Sequence, residues 1–201
     1  MSFVFAQKLQ KQDSVSSKQL WSLTEAAGRF VEISSAEASA ALTIAFGLVR
    51  EAQERREPVG WVTSMRTFFY PPDAARNGID LTALVVVRLL DPAKIQRAGE
   101  KLLRSGGFGL IVLDLGVTDI LTPFQTRLAG LAHRHHTALI CLTEKVYQTF
   151  SLGSLISLRV HAEKKRVSEN YFACALKVLK DKRRGPTWNH EAIYSGPPGL
   201  C

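Results

Sequence analysis

A single segment, 28–50, limits the possible folds more than any other part of the chain; its sequence is GRFVEISSAEASAALTIAFGLVR. It reads as an apolar strand, a turn of small residues and a helix rich in Ala and Leu. Nucleotide-binding domains place their phosphate-binding loop between such a strand and such a helix. The loop pattern is Gly, four residues, then Gly-Lys-Ser/Thr, and these positions fall on Ser35, Ala40, Ala41 and Leu42. Because none of the four is the required residue, we expect the scaffold without the nucleotide chemistry, and no cofactor.

Apolar runs alternate with helical periodicities along most of the chain. Strands are predicted at 30–34, 59–63, 82–89, 109–113 and 137–142, and helices at 39–57, 91–105 and 122–136. Continuous apolar strands separated by helices are typical of a parallel sheet that is covered on both faces. Alternating patterns at 155–162 and 171–179, with a short run at 191–194, indicate an antiparallel hairpin and a last strand. The predicted fold is therefore α/β, with a mostly parallel central sheet flanked by helices and an antiparallel C-terminal extension.

Composition is that of a globular protein. The 201 residues are 46% hydrophobic and 22% charged, which suits one packed domain that we expect at 21–195, with an N-terminal arm at 1–20 and a tail at 196–201. No apolar run reaches the roughly 18 residues that cross a bilayer, so we expect a cytoplasmic protein. The three cysteines and the run His133-Arg134-His135-His136 lack metal-ligand spacing, and no metal site is expected.

Three stretches give the chain a specific resemblance. Residues 28–33 (GRFVEI) followed by Glu37 and Thr43, residues 110–114 (LIVLD) and residues 176–182 (LKVLKDK) are similar to core segments of the bacterial recombinase RecA. The similarity covers most of 21–194. A RecA-like core without its phosphate loop resembles the ImuA/SulA-like group, and within it the SOS mutagenesis proteins of the ImuA type.

The resemblance implies a protein that is not an enzyme. Asp114 corresponds to the Walker B carboxylate that organises Mg²⁺ in ATPases of this superfamily. Without the lysine and hydroxyl opposite, we expect Asp114 to follow its strand and to hydrogen-bond to nearby backbone. Met65 lies near the position of the glutamate that activates water, and Glu144 stands where RecA has its nucleotide-sensing glutamine. We therefore expect no catalytic residue.

The resemblance also implies a docking surface on the strand and helix at 82–105. In RecA filaments the equivalent elements receive the N-terminal strand and helix of a neighbour. We accordingly expect this chain to dock an ImuB-like Y-family protein and an error-prone polymerase in translesion DNA synthesis, with RecA as a further partner. The predicted partner-binding residues are Leu84, Val86, Arg88, Ile95 and Leu102. Internal packing of the same residues is the alternative.

Positive charge is concentrated near the C-terminus. The net charge is +8, and residues 159–184 contain nine basic and three acidic residues. Such a concentration attracts polyanions or acidic partners, although a solvated surface without a partner is equally compatible. The predicted DNA-binding residues are Lys164, Lys165 and Arg166, placed at the hairpin turn, and Lys180, Lys182, Arg183 and Arg184.

Two loops and the function leave alternatives open. The aromatic loop 67–73 forms either an exposed binding surface or a plug in the empty nucleotide pocket. The loop 145–153, with Lys145, Tyr147 and Phe150, is either a plain connection or a surface for stacking on bases. The other functions that we consider are a SulA-type cell-division inhibitor, a working RecA-like ATPase and a passive single-strand DNA binder.

Overall fold

The computed structural model describes residues 21–36, 38–65, 69–168 and 171–195. The predicted arm at 1–20 and tail at 196–201 lie outside the described residues, as does Glu37. Within these ranges, no helix is both long enough and apolar enough to span a bilayer.

The described residues form an eight-stranded sheet in the order β3-β2-β4-β5-β1-β6-β7-β8. The strands are β1 (Phe30–Ser35), β2 (Val59–Ser64), β3 (Leu84–Leu89), β4 (Leu110–Gly116), β5 (Ala138–Glu144), β6 (Leu158–Ser168), β7 (Tyr171–Asp181) and β8 (Asn189–Ser195). Strands β1 to β6 run parallel, whereas β7 is antiparallel to β6 and β8 is antiparallel to β7. This arrangement confirms the predicted α/β fold with a mostly parallel sheet and an antiparallel extension.

Five α-helices connect and cover these strands in the described part of the chain. They are α1 (Leu23–Ala26), α2 (Ala38–Glu54), α3 (Pro71–Arg76), α4 (Ile95–Ser105) and α5 (Thr122–His135). Short 3₁₀ turns at Leu81–Ala83 and Pro92–Lys94 precede β3 and α4. Each turn is preceded by an aspartate, Asp80 or Asp91, whose carboxylate accepts the backbone N–H of the residue two positions later. This hydrogen bond caps the turn and fixes where the turn starts.

The helices divide the core into two layers. One face of the sheet packs with α2 around Val31, Ile33, Trp61 and Val112. The opposite face packs with α4 and α5 around Phe30, Ile111, Leu113 and Leu139. Burial on both faces explains why the central strands are continuous apolar runs. Gly99 lets α4 lie close to β4, because a Cβ at this position would be 2.7 Å from Leu113 Cδ2.

Strands β3, β4, β6 and β7 differ from the sequence-based prediction. Strand β3 begins at Leu84 rather than at 82, because Asp80 holds Thr82 in the preceding 3₁₀ turn. Strand β4 continues to Gly116, so Asp114 lies inside the strand and not after it. The hairpin strands β6 and β7 have 11 residues each, and Lys164–Arg166 are therefore in β6 rather than at the turn. Beyond His161, β7 is the one described strand that pairs with β6, so this part of β6 is an outer strand, where charged side chains are tolerated.

Candidate functional site

The carboxyl edge of the sheet, where β1 to β6 end, is where α/β folds bind their ligands. Here β1 ends at Ser35 and α2 already begins at Ala38. The side chains of Ala40 and Ala41 are buried in the core beneath α2, and Leu42 packs partly buried against the same core. The four positions of the phosphate-loop pattern therefore belong to the end of β1 and to a packed helix, and none of them is a lysine that could meet a phosphate.

Asp114 has a hydroxyl partner. Thr63 Oγ1, on the neighbouring strand β2, donates to Asp114 Oδ2 over 3.0 Å, and both residues are buried. This partner is a side chain on the adjacent strand β2, whereas the sequence analysis expected a bond to nearby backbone. Met65, which the resemblance places near the position of a water-activating glutamate, is exposed, and its thioether is not a base.

A buried carboxylate that sequence reasoning missed lies in the middle of β1. Glu32 is inaccessible to solvent, and Ser151 Oγ and Leu152 N donate to its Oε2 over 2.6 and 3.1 Å. Thr143 Oγ1 donates to Oε1 over 3.3 Å, and Arg159 Nε lies 3.6 Å from Oε2. Glu32 therefore ties the β5–β6 loop, residues 145–157, to the sheet. A lone acidic residue inside the apolar strand FVEISS was the available signal.

A second buried pair lies at the start of β1. Arg29 Nη2 is 2.6 Å from Asp181 Oδ1, and Trp188 Nε1 donates to Asp181 Oδ2 over 3.0 Å. Burial alone would raise the pKa of Asp181, but hydrogen bonds from Arg183 N, Trp188 and Arg29 outweigh it and the pKa is lowered. The pair joins β1 to the end of β7 and has a structural role.

A serine and a histidine meet at the ends of β1 and β6. Ser34 Oγ donates to Val160 O over 3.2 Å and also lies 3.2 Å from His161 Nδ1. The serine hydroxyl has one proton, which it donates to Val160 O. The contact with His161 Nδ1 is then a hydrogen bond when Nδ1 carries a proton and donates to Ser34 Oγ. Burial lowers the pKa of His161, which keeps the ring neutral. With the proton on Nδ1, the imidazole donates to Ser34, which is the reverse of the hydrogen bond in a nucleophilic dyad.

The predicted partner surface centres on β3, an outer strand of the sheet. Among the described residues β3 pairs only with β2, in an uninterrupted register from Val59↔Leu84 to Ser64↔Leu89. Met65 N donates to Leu89 O over 3.0 Å, so the backbone of Leu89 faces β2. Because backbone direction alternates along a strand, the N–H and C=O groups of Leu84, Val86 and Arg88 face the open edge.

The side chains proposed for this surface differ in exposure. Ile95 and Leu84 are buried in the core, and these two side chains cannot meet a partner. Val86 and Leu102 are half-buried, whereas Arg88 is exposed and donates to Phe69 O over 3.2 Å. Val85, which the sequence-based prediction omitted, is 48% exposed. The accessible part of the surface is therefore the edge backbone with Val85, Val86 and Arg88.

The predicted DNA-binding residues separate into two groups. Lys165 pairs with Ala173 near the hairpin tip, whereas Asp181 pairs with Leu158 at the opposite end of the hairpin. Seven residues of strand place these ends about 23 Å apart. Lys164, Lys165 and Arg166 are exposed at the tip, whereas Lys180, Lys182, Arg183 and Arg184 lie at the base.

Several basic side chains at the base of the hairpin are held by contacts within the chain. Arg184 Nη2 is 2.7 Å from Glu25 Oε2, and Lys180 Nζ donates to Ser154 O over 3.1 Å. At the tip, Lys164 Nζ lies 4.5 Å from the centre of the Phe172 ring.

The loops 67–73 and 145–153, for which the sequence allowed two interpretations, are each partly packed against the rest of the chain. Phe69 is buried against Trp61, with ring centres 5.1 Å apart, whereas Tyr70 is exposed. Residues 66–68 lie outside the described residues. In the β5–β6 loop, Lys145 Nζ is 2.9 Å from Asp119 Oδ1, and Lys177 Nζ lies 4.3 Å from the centre of the Tyr147 ring.

The amino edge of the sheet has a cavity of about 400 Å³, which Arg55, Glu57, His135 and His136 help to line. Across the described ranges, no group of three or more His, Cys, Asp and Glu side chains is arranged to hold a metal ion.

Comparisons with known proteins identify the fold. No protein-family model and no curated protein matches the sequence. The chain is similar to the crystal structure of the flagellar accessory protein FlaH from Methanocaldococcus jannaschii, with a TM-score of 0.62 and 11% identity over 85% of this chain and 87% of that chain. Together with the strand order, this similarity shows a RecA-like fold. At such an identity it shows the fold alone.

Proposed function

We propose that this chain is a non-catalytic, RecA-like accessory protein of translesion DNA synthesis, acting as the ImuA type does. In this proposal it docks an ImuB-like Y-family protein and an error-prone polymerase, and RecA is a further partner. The role in SOS mutagenesis is inferred from the resemblance of the sequence. The proposed absence of ATP chemistry is inferred from Ser35, Ala40, Ala41 and Leu42, which depart from the phosphate-loop pattern.

The open edge of β3 is the observation that carries the proposal. Natural edge strands are protected by charges, bulges, prolines or short length. Strand β3 has the sequence LVVVRL, pairs with β2 without a bulge and carries Arg88 as its single charge. Its sequence therefore resembles that of a central strand, although it is an outer strand of the sheet. An extended segment of a partner can pair with the outward backbone groups of Leu84, Val86 and Arg88.

A proline scan of β3 tests the docking. Val86→Pro removes an outward N–H and places the proline ring at the open edge, where proline is tolerated. Binding of a fluorescent C-terminal segment of the ImuB-like protein to the full chain is measured by anisotropy. We expect Val86→Pro to weaken this binding by about tenfold or more. Leu81→Pro is the matched control, because residue 81 opens the 3₁₀ turn, where proline is also accepted.

The rival functions give different outcomes. Equal affinity of the wild type and Val86→Pro would contradict docking on β3. Capture of a tubulin-like division protein in place of the ImuB-like segment would favour the SulA-type inhibitor. Saturable ATP hydrolysis by the purified chain would favour the working ATPase.

A direct contact with DNA is a second proposal, and the exposure of the hairpin tip supports it. Lys164, Lys165 and Arg166 are exposed on a ribbon that extends beyond β1, whereas Arg184 at the base is paired with Glu25. We assign the contact to the tip for this reason. Phosphate binding by such a group is independent of sequence and weakens with salt.

A further inference from the structure

Four large apolar side chains are exposed together at the carboxyl edge, beside β3. Leu90 is 86% exposed, Val117 78%, Leu121 62% and Met65 60%. We call these four residues the carboxyl-edge shelf. They follow the ends of three strands that are neighbours in the sheet, with Leu90 after β3, Met65 after β2 and Val117 after β4.

Hydrogen bonds hold these loops in place. Met65 N donates to Leu89 O over 3.0 Å, which fixes Met65 beside Leu90. Thr118 N donates to Leu115 O over 2.9 Å, and this tight turn keeps Val117 at the edge. Leu121 N donates to Gln96 Oε1 over 3.0 Å, which joins the loop before α5 to the start of α4. The exposure of the shelf is therefore built into bonded loops.

Isolated apolar residues on a surface need no explanation, whereas several on adjacent loops make those loops a candidate interaction site. The shelf is uncharged and directly continues β3, because Leu90 is the residue after the last β2–β3 pair. A strand paired with the open edge advances about 3.3 Å per residue and reaches the shelf within one residue of leaving β3. From Leu90 to Val117 the shelf crosses two strand spacings, about 10 Å.

We propose that the carboxyl-edge shelf binds the apolar continuation of the same segment that pairs with β3. This inference rests on the proposed function and specifies its partner chemistry. The partner segment has an alternating stretch that pairs with Leu84–Leu89, followed at the shelf end by two or three large uncharged side chains. The backbone of β3 gives affinity with little sequence preference, and the shelf selects which extended segments bind.

Charge substitutions on the shelf test this inference. The double variant Leu90→Asp/Val117→Asp changes two exposed side chains and leaves the β2–β3 pairing intact. Leu81→Asp is the matched control, because Leu81 is an exposed apolar residue at the other end of β3. Two probes are used with the full-length protein: the C-terminal segment of the ImuB-like protein, and displayed random 15-residue peptides selected on the wild type. Melting temperatures verify that each variant is folded.

We expect the shelf variant to weaken both probes by about tenfold or more, with no change in Leu81→Asp. Unchanged binding of the selected peptides and of the segment to the shelf variant would overturn the inference, even if Val86→Pro abolishes binding and the β3 proposal stands. If the ImuB-like segment fails to bind the wild type, the selected peptides still decide for or against the shelf. Loss of binding in the shelf variant with full binding by Val86→Pro would also overturn it, because the two surfaces would then bind separate segments.

Discussion

Two charged side chains at β1 show what single residues contribute to this fold. Glu32 lies within the strand and Arg29 immediately precedes it, and both are buried with partners from distant parts of the chain. Glu32 fixes the β5–β6 loop and Arg29 fixes the end of β7 through Asp181. Removing one partner of a buried pair leaves the other charge uncompensated, which is strongly destabilising.

Glu32→Gln is expected to lower the free energy of unfolding by about 3–5 kcal/mol, because Arg159 loses its counter-charge in a buried site. Urea denaturation measures this loss. The double variant Glu32→Gln/Arg159→Met should recover most of it, since the unpaired charge is removed as well. Glu163→Gln, an exposed carboxylate on the same strand as Arg159, is the control and should stay within about 0.5 kcal/mol of the wild type. A double variant no more stable than Glu32→Gln would contradict this account of the pair.

The Asp181 carboxylate makes stability depend on pH. Folding lowers its pKa below the ordinary value of 3.8. A carboxylate of this kind stabilises the native state above the unfolded pKa, and the contribution is lost as pH falls through the folded pKa. We expect the wild-type melting temperature to decrease below about pH 5, and less steeply in Asp181→Asn. Asp91→Asn retains a helix cap and should follow the wild type. Parallel profiles for Asp181→Asn and wild type would contradict this assignment.

At the scale of elements, β3 and the β6–β7 hairpin are the two parts that differ most from a closed, protected sheet. Strand β3 is apolar and unbulged at an open edge, whereas the hairpin extends past its parallel neighbour β1 and carries charges instead. The first arrangement favours pairing with another chain, whereas the charged side chains of the second oppose such pairing.

Amide hydrogen exchange tests the open edge of β3 directly. The amides of Val85, Val87 and Leu89 are expected to be protected, because they face β2, whereas those of Val86 and Arg88 should exchange rapidly. Addition of the partner segment should protect Val86 and Arg88. Protection of all five amides in the free protein would show that the edge is already occupied.

For the hairpin, replacement of Lys164, Lys165 and Arg166 by alanine should lower the affinity for single-stranded DNA. The slope of log K against log salt should decrease by about 0.7 for each phosphate contact that is lost. Titrations at several salt concentrations measure both quantities. Arg184→Ala is the control, because its guanidinium is paired with Glu25. A larger effect from Arg184→Ala than from the tip variant would place the DNA contact at the base.

At the scale of the whole molecule, alternating apolar runs and helical periodicities predicted the α/β architecture, and its RecA-like form was implied by the resemblance of residues 28–33, 110–114 and 176–182. The departure of Ser35, Ala40, Ala41 and Leu42 from the phosphate-loop pattern is read directly from the sequence. The burial of Leu84 and Ile95 agrees with the internal packing that was the alternative to a partner surface for these two residues. The sequence placed residues 164–166 at the hairpin turn, but the distance between them and residues 180–184 follows from the full length of the two strands, which the alternating pattern underestimated. The shelf depends on loops that only the strand order brings together.

In the proposed function, a protein with a RecA-like fold docks its partners without a nucleotide switch. The most direct test of this proposal is the affinity of the full chain for the ImuB-like C-terminal segment, measured in the presence and absence of Mg²⁺ and ATP. We predict binding with the same affinity in both conditions. An affinity that depends on ATP, or tight uptake of ATP by the chain itself, would contradict the account.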